Sequence, residues 1–171
     1  MALDQKTNLD GHQALEKVRA LLEHFPVACM VTVRDGTATA RPLGVVGNTS
    51  DFAGTLWFIT DRRSRKVEAI SAGASTSLVF ENHQEGAYLY LTGRAAIVDD
   101  RAKLAQLYTE IQRTWFPDGL DDPNITLVRF DAEHADYWDG HASWLRLALA
   151  FARATLTGTP GASGNAGTAE F

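Results

Sequence analysis

Cysteine is nearly absent from this chain. Cys29 is the only one among 171 residues, which excludes an intrachain disulfide and a CxxC metal site. It lies in the apolar run VACMVTV, where we expect a buried, inert thiol. The low cysteine content is typical of a reducing compartment, so we expect a cytoplasmic protein.

Long apolar runs are missing too. No stretch is long enough to cross a membrane, and the first residues, MALDQKTNLDGHQ, contain no apolar segment of signal-peptide type. Positive charge is also in deficit, because 16 Lys and Arg residues stand against 21 Asp and Glu, for a net charge of -5. A nucleic-acid-binding protein normally carries a broad basic face. The sequence therefore predicts neither a membrane nor a nucleic acid as partner.

Several motifs of enzyme sites are absent. The chain has no GxGxxG after a strand, no GxxxxGK[ST] loop and no GxSxG turn. Its five histidines form no HxH, HxxxH or HExxH pattern, so no metal site is predicted. No side chain stands out as a general acid or base, and the catalytic residues stay unknown at this stage.

The pattern that is present predicts a mainly β protein. Residues 11–25 have helical periodicity, and Pro26 ends that helix. Two β-rich runs flank Asp35-Gly36, a strong hairpin signal. Further strand patterns follow, one of them with Gly93 in its middle, which predicts a bulge or a bend. About six strands, mostly joined by hairpins, favour an antiparallel barrel with peripheral helices.

The boundaries of the domain follow from composition. Residues 1–10 are expected to be flexible, residues 11–156 to form one domain, and the Gly-rich residues 157–171 to be disordered. Residues 101–115 predict one amphipathic helix with an Asp99 or Asp100 cap, and with Leu104, Leu107, Tyr108 and Ile111 on one side. The last strand region is expected to break near Ala132–Glu133, and residues 142–156 predict a final helix.

A basic cluster, TDRRSRKVEAI, interrupts the acidic chain at residues 60–70. A strand ends at Thr60, and a helix is expected to start near Ser64. A phosphate there would gain backbone donors, the Ser64 hydroxyl and charge-assisted bonds from Arg65 and Lys66. The alternative is that the arginines extend into solvent and pair with Asp61 and Glu68. The residues alone leave both interpretations open.

Two further features are candidates for ligand contacts. Arg41 and Pro42 lie in a strand of otherwise apolar or small residues, where proline indicates an edge or a break. This Arg41 either faces a planar ligand or makes a surface ion pair. Trp115 and Phe116 lie beside the polar loop PDGLDDPN, where they would cap a ring-shaped ligand or join a subunit interface.

These residues carry a resemblance to a known family. CMVTVRDG…ARPLGV, LWFITDRRSRKVEAI, SLVFEN, YLYLTGRAAIVDDR, WFPDGLDDPNITLVRF and ADYWDG follow one another as in the general stress protein 26 family. That family belongs to the pyridoxamine 5'-phosphate oxidase-like, FMN-binding split-barrel proteins. The resemblance covers residues 11–156 and implies a six-stranded antiparallel split barrel. It also implies a homodimer with two FMN sites at its interface, FAD being an alternative cofactor.

The resemblance also implies which residues form the flavin site. Ser64, Arg65 and Lys66 would hold the flavin phosphate, with Arg62 and Arg63 less certain. Arg41, Pro42 and Leu43 would line the isoalloxazine ring, and Phe58, Ile59 and Thr60 would form the strand beside it. Trp115 and Phe116 of the other subunit would cover the ring.

Three functions stay open at this stage. The first is a flavin-dependent oxidoreductase that passes a hydride between the flavin and a small-molecule redox partner. The second is a stress protein that binds or sequesters flavin without turnover. The third keeps the fold but binds the deazaflavin F420 or haem, for which His83 or His134 would be the axial ligand. Pyridoxamine 5'-phosphate oxidase activity is not predicted, because the Gly-rich tail has no equivalent of those oxidases' C-terminal Arg and His segment.

Overall fold

The described part of the chain contains eight β-strands and three α-helices. The structure is a computed structural model, and it describes residues 6–8, 11–139 and 165–170. The helices are α1 (Gly11–Leu22), α2 (Arg65–Ser71) and α3 (Arg101–Leu107). The strands are β1 (Lys6–Asn8), β2 (Val27–Arg34), β3 (Thr37–Val46), β4 (Thr55–Asp61), β5 (Ser75–Asn82), β6 (Ala87–Val98), β7 (Ile125–Asp139) and β8 (Asn165–Glu170).

Six of these strands close into an antiparallel barrel. Neighbouring strands follow the order β7-β4-β3-β2-β5-β6, and β6 pairs with β7 to complete the circle. This arrangement confirms the six-stranded antiparallel barrel with peripheral helices. In the first hairpin, Asp35 and Gly36 have φ values of 50° and 74°, as its two-residue turn requires. Such local turns specify β2–β3 and β5–β6 as antiparallel neighbours. The pairings of β2 with β5, β4 with β7 and β6 with β7 join strands that are further apart in the sequence.

One seam of the barrel is short. β3 pairs with β2 along its length, but it pairs with β4 only at Val45 with Phe58 and at Val46 with Trp57. Pro42 lies in the part of β3 that is not paired with β4. Because proline has no backbone N–H to donate, it is expected at such a break in the pairing. Beyond this pairing, the edges of the two strands do not serve each other as hydrogen-bond partners.

Gly93 lies at a β-bulge, as a lone glycine within a strand predicts. The pairing of β6 with β7 shifts register there and leaves Glu133 as the extra residue. A Cβ on Gly93 would lie 2.1 Å from the backbone oxygen of Asp131, so only glycine fits. The expected break near Ala132–Glu133 is therefore a bulge within one continuous strand, β7.

The helix after β6 is shorter than predicted. Asp100 caps α3, since its side chain accepts the Lys103 backbone N–H at 2.9 Å, but the helix ends at Leu107. A 3₁₀ helix, Glu110–Thr114, follows in place of the last two turns. The prediction that Ile111 joins the buried side of one long helix is wrong, because Ile111 is 64% exposed.

Local hydrogen bonds explain why this helix stops. Thr109 begins a new capped segment, and the Gln112 Oε1 accepts both its backbone N–H and its hydroxyl at 2.7 Å. Threonine and glutamine three residues apart are a helix-start signal, and here that signal competes with continuation of α3. The two segments therefore point their apolar side chains in different directions.

The two ends of the described chain add strands outside the barrel. β8 pairs antiparallel with β7, and β1 pairs parallel with β8. This corrects the expectation of disorder for residues 165–170 and of flexibility for residues 6–8. The Gly-rich composition predicts only that the side chains bury little apolar surface. β8 is instead stabilised by backbone hydrogen bonds to the edge of β7, and such bonds can form between small residues. The expected final helix at residues 142–156 lies outside the described residues.

Two apolar clusters hold the barrel together. The larger fills its interior and includes the whole buried side of α1, with Val18, Leu21 and Leu22. The smaller lies outside the barrel wall and joins α3 to the outward faces of β4 and β7. None of the helices among the described residues is long and apolar enough to span a membrane.

Candidate functional site

The short seam leaves a gap that we call the opening. It is bounded by residues 39–43 of β3, residues 59–61 of β4 and residues 64–66 at the start of α2. These three segments contain every predicted phosphate and ring residue except three. Phe58 lies just before the second segment, where β4 still pairs with β3, and Trp115 and Phe116 lie in another part of the chain. The fold thus brings together residues that are up to 25 positions apart in the sequence, such as Arg41 and Lys66.

Threonine lines the inside of the barrel at this end. Four of the five buried polar residues in the described part of the chain are threonines whose register places them on the inward face of this end: Thr32, Thr60, Thr76 and Thr126. Helix α2 covers the same end with Val67 and Ile70. The apolar interior therefore stops short of the opening, and polar groups replace it.

The basic cluster divides into paired and unpaired cations. Arg62 makes a bidentate ion pair with Asp99, and Arg63 holds Asp61 at 2.8 Å. Both arginines are thereby neutralised, and the Arg63 hydrogen bond lowers the pKa of the Asp61 carboxyl. The interpretation as a solvated face therefore describes these two arginines.

Arg65 and Lys66 behave differently from their neighbours. Neither forms an ion pair with a carboxylate in the described part of the chain, and the Glu68 carboxylate pairs with Arg34 instead. Burial lowers the pKa of Lys66, and the nearby Arg41 guanidinium lowers it further. The opening therefore holds positive charge that no carboxylate of the described residues pairs directly, although Asp61 acts on Lys66 from a greater distance.

Ser64 occupies the N-cap position of α2 without capping it. Its side chain makes no cap hydrogen bond, and its Oγ is buried without a partner among the described residues. A buried polar atom left unsatisfied costs on the order of 1–3 kcal/mol. Such an atom in a native protein therefore calls for a partner from outside the chain.

Arg41 reaches into the opening from β3. Its guanidinium donates to the Thr32 hydroxyl at 3.2 and 3.3 Å and also to the Thr39 hydroxyl. Burial lowers the pKa of this guanidinium, and Arg65 lowers it further. Arg41 therefore lies within electrostatic range of both other cations.

These side chains, rather than the helix dipole, supply most of the positive field. Helix α2 spans only seven residues, so few peptide units add to its dipole. Arg41, Arg65 and Lys66 instead converge from two elements, with the Ser64 hydroxyl beside them. An anion with several oxygens, such as a phosphate group, matches this set of donors.

The other predicted contacts of the opening are mostly buried side chains. Leu43 and Phe58 belong to the barrel interior, Ile59 belongs to the outer cluster, and Thr60 is buried at the barrel end. Because these side chains are packed in the core, a ligand in the opening would contact their backbone atoms. Pro42, in contrast, is exposed on β3.

Trp115 and Phe116 lie in different environments although they are adjacent. Phe116 is 6% exposed and packs in the outer cluster with Ile59 and Leu104. Trp115, in contrast, is 68% exposed. An exposed indole of this size is available to another molecule, whereas the Phe116 ring is already packed.

Sequence reasoning missed Thr32 and Thr39. Thr32 follows Ala28 and Met30 at the inward positions of β2, so alternation alone predicts a hydroxyl inside an apolar wall. The sequence thus indicates a buried hydroxyl at Thr32, but it does not indicate which side chain donates to that hydroxyl. Only the β2–β3 register places Thr32 opposite Thr39 and beside Arg41.

The histidines proposed for haem lie on other elements. His83 is highly exposed in the turn between β5 and β6, beside Glu81, and His134 lies on β7 near Asp136. No group of metal-ligating side chains occurs within the described residues.

Comparison with known proteins identifies relatives of the chain. A family model described as "Pyridoxamine 5'-phosphate oxidase like" matches residues 13–161. No curated protein matches the chain.

Solved structures share the fold. A protein described as a general stress protein 26 from Jannaschia sp. CCS1 has a TM-score of 0.75 at 22% identity, covering 94% of this chain and 99% of that one. A protein related to general stress protein 26, from Clostridium acetobutylicum, has a TM-score of 0.65 at 25% identity, covering 75% and 90%. A general stress FMN/FAD binding protein from Xanthomonas citri has a TM-score of 0.66 at 24% identity, covering 77% and 92%.

Proposed function

The chain belongs to the pyridoxamine 5'-phosphate oxidase-like family, and from this premise we propose that it is a flavin-binding protein of the general stress type. FMN is the proposed cofactor, with FAD as the alternative, and the opening is the proposed site. The relative from Xanthomonas citri is named as an FMN/FAD binding protein, which supports this choice.

One observation carries the proposal. The Ser64 Oγ is buried without a partner among the described residues, and it lies at the start of the helix that carries Arg65 and Lys66. The flavin phosphate would accept from the Ser64 hydroxyl and from both cations. The same phosphate group would thereby give the Ser64 hydroxyl a hydrogen-bond acceptor and give Arg65 and Lys66 a counter-charge.

Arg41 takes a different part from the one the resemblance implies. Its closeness to Arg65 and Lys66 supports a contact with the phosphate end of the flavin rather than with the ring alone. Pro42 and the backbone of Leu43, Phe58, Ile59 and Thr60 stay as the proposed contacts of the isoalloxazine ring. Apart from Phe58, which pairs with Val45, these residues lie where β3 and β4 are not paired with each other. Such a strand edge is suited to that task, because it presents backbone donors and acceptors to a planar ligand.

The proposed assembly is a homodimer in which Trp115 of a second copy covers the ring, while Phe116 supports it from the outer cluster. The exposed indole supports this, and so does an apolar face on β2, β5 and β6. Four of the six exposed large hydrophobic residues in the described chain lie there: Val27, Val33, Tyr88 and Tyr90. Exposed apolar side chains grouped on neighbouring strands are typical of an interface.

An oxidoreductase activity is the proposed use of the site. Bound FMN supplies hydride transfer to or from a small-molecule partner, and the chain binds the cofactor, orients it and shields it from water. The alternative is a protein that binds flavin without turnover. Steady-state oxidation of NADH or NADPH by the FMN-loaded protein separates them, because turnover no faster than that of free FMN contradicts the enzyme for those donors. The cytoplasmic location stays a prediction.

Flavin titration with two matched double variants tests the site. Arg65→Ala with Lys66→Ala removes two charge-assisted bonds and is expected to weaken FMN binding by about 3–5 kcal/mol. Arg62→Ala with Arg63→Ala removes the same net charge from the same loop, yet both arginines are already paired with carboxylates. This control is expected to change the FMN dissociation constant far less.

Two outcomes contradict the assignment. Equal losses in the two double variants would mean that FMN senses only the overall charge of the loop. Unchanged affinity in the Arg65 and Lys66 variant would remove the phosphate site from the opening. The absorption spectrum of the loaded protein separates flavin from haem and F420 in the same samples.

A further inference from the structure

Arg41 is held by hydroxyl groups and not by a carboxylate. Its guanidinium donates to Thr32 at 3.2 and 3.3 Å and to Thr39, and it forms no ion pair within the described residues. Partly buried arginines are usually paired with an acid, since a buried charge is otherwise costly. The choice of partner therefore needs an explanation.

The two threonines form a rigid support. They lie directly opposite each other on β2 and β3, and their hydroxyl oxygens are 3.0 Å apart. The Thr32 side chain is 1% exposed at the end of the barrel interior, so its hydroxyl cannot move without disturbing the wall. Both threonines are β-branched, which restricts their χ1 rotation.

We propose that Thr32, assisted by Thr39, is a positioning residue that holds the Arg41 guanidinium in the opening while leaving its charge available for a phosphate. A carboxylate in the same place would hold the guanidinium equally well, but it would neutralise the charge and repel the anion. A hydroxyl accepts the N–H groups and carries no charge. The function of Arg41 as a phosphate ligand rests on the proposed function, whereas its positioning by Thr32 does not.

The chain offers a matched control on the neighbouring strand. Thr76 lies opposite Thr32 on β5 and is also buried at this end of the barrel. Its hydroxyl donates to the Ala74 backbone oxygen and makes no contact with Arg41. Thr76→Val therefore removes the same chemical group from the same layer, and Thr32→Ser retains the hydroxyl at the proposed position.

The binding experiment is an FMN titration of these variants. Thr32→Val is expected to raise the FMN dissociation constant about tenfold, which is the lower range for a hydrogen bond to a charged group. Thr32→Ser and Thr76→Val are expected to stay within about twofold of the unmodified protein. In an Arg41→Ala background, Thr32→Val is expected to have almost no further effect, because the group it positions is gone.

A second measurement is independent of flavin. In the free protein, the ¹⁵N relaxation of the Arg41 Nε–H is expected to show an ordered side chain, with order lost in Thr32→Val and retained in Thr32→Ser and Thr76→Val. Thr39→Val, at an exposed position, gives the same test if Thr32→Val does not fold.

The outcomes separate the two proposals. An equal effect of Thr32→Val with and without Arg41, or an effect no larger than that of Thr76→Val, overturns the positioning role. Arg41 that stays ordered in Thr32→Val overturns it as well. Loss of Arg41 order in a protein that binds no FMN would support the positioning role and contradict the proposed function.

Discussion

At the scale of single residues, the central feature is a set of polar groups that lack a hydrogen-bond partner or a counter-charge among the described residues. Ser64 has a buried hydroxyl without a partner among the described residues, and Arg65 and Lys66 have no carboxylate there. The buried Ser64 hydroxyl and the partly buried Lys66 cation cost stability in the protein without a ligand, whereas Arg65 is exposed. A ligand that satisfies them converts that cost into affinity.

Ser64→Ala is therefore expected to have opposite effects on stability and binding. The variant loses no cap hydrogen bond, because the Ser64 side chain makes none, so the flavin-free melting temperature is expected to stay equal or to rise. The FMN dissociation constant is expected to rise about tenfold or more through loss of one hydrogen bond to a charged group. Thermal unfolding and flavin titration of the same samples measure both.

Asp100→Ala is the control for this variant. Asp100 stands at the same cap position of α3, and its side chain does accept the Lys103 backbone N–H. Its replacement is expected to lower the free energy of unfolding by about 1 kcal/mol and to leave FMN binding unchanged. A Ser64→Ala variant that loses as much stability as Asp100→Ala would mean that the hydroxyl serves the helix and not a ligand.

The lowered pKa of Lys66 predicts how flavin binding depends on pH. In the folded, flavin-free protein, Lys66 loses its proton below the ordinary lysine value of 10.5, chiefly because it is buried. An unfolded chain holds this proton to higher pH, so flavin-free stability rises with pH across that window. FMN prefers the protonated form, so its affinity is expected to fall as pH rises through the lowered pKa.

Lys66→Arg isolates this effect, because arginine stays charged throughout the range. FMN affinity measured against pH is expected to fall earlier for the unmodified protein than for the variant. The flavin itself titrates identically in both samples, so the difference between the curves belongs to Lys66. Parallel curves would contradict a phosphate contact of this side chain.

At the scale of the elements, the bulge between β6 and β7 is what bends the wall of the barrel. Gly93→Ala is expected to lower the free energy of unfolding by more than about 2 kcal/mol, since its Cβ would overlap the Asp131 backbone oxygen. Gly44→Ala is the control, because a Cβ there meets nothing within 4 Å. Urea unfolding of both variants measures the difference, and equal losses would contradict a close approach at Gly93.

Elements that depend on local signals could be predicted from the sequence. The Asp35-Gly36 turn, the Gly93 bulge and the break at Pro42 each follow from the conformational limits of one or two residues. The end of α3 at Leu107 could not, because two local signals compete there and their balance depends on packing. β8 could not either, since its stability comes from pairing with a distant strand.

The candidate site divides in the same way. The composition of residues 60–70 predicted a cluster of cations, but not which of them are neutralised. Arg62 is paired with Asp99, 37 positions along the chain, and only the folded barrel brings them together. The contact of Arg41 with Thr32 likewise requires the register of β2 and β3.

At the scale of the whole molecule, the proposed cover of the opening is Trp115 of a second copy, whose indole is 68% exposed. Light scattering is expected to give a particle of about twice the chain mass of 18.7 kDa. In that dimer, Trp115→Ala is expected to weaken FMN binding by about 1–3 kcal/mol through loss of ring stacking, without changing the mass. Ile111→Ala, which removes a neighbouring exposed apolar side chain of the same 3₁₀ region, is the control.

A monomer that binds FMN with full affinity would contradict the shared site. A dimer in which Trp115→Ala leaves the FMN affinity unchanged would contradict only the position of the indole. Loss of both dimer and affinity in Trp115→Ala would show that the residue acts through assembly.

The most direct test of the central claim compares two ligands that differ only in the phosphate group. If Ser64, Arg65 and Lys66 hold that group, FMN is expected to bind the protein at least about 100-fold more tightly than riboflavin, from two or more charge-assisted hydrogen bonds. Fluorescence titration of the unmodified protein with both ligands measures this ratio. Equal affinity for FMN and riboflavin would contradict the account.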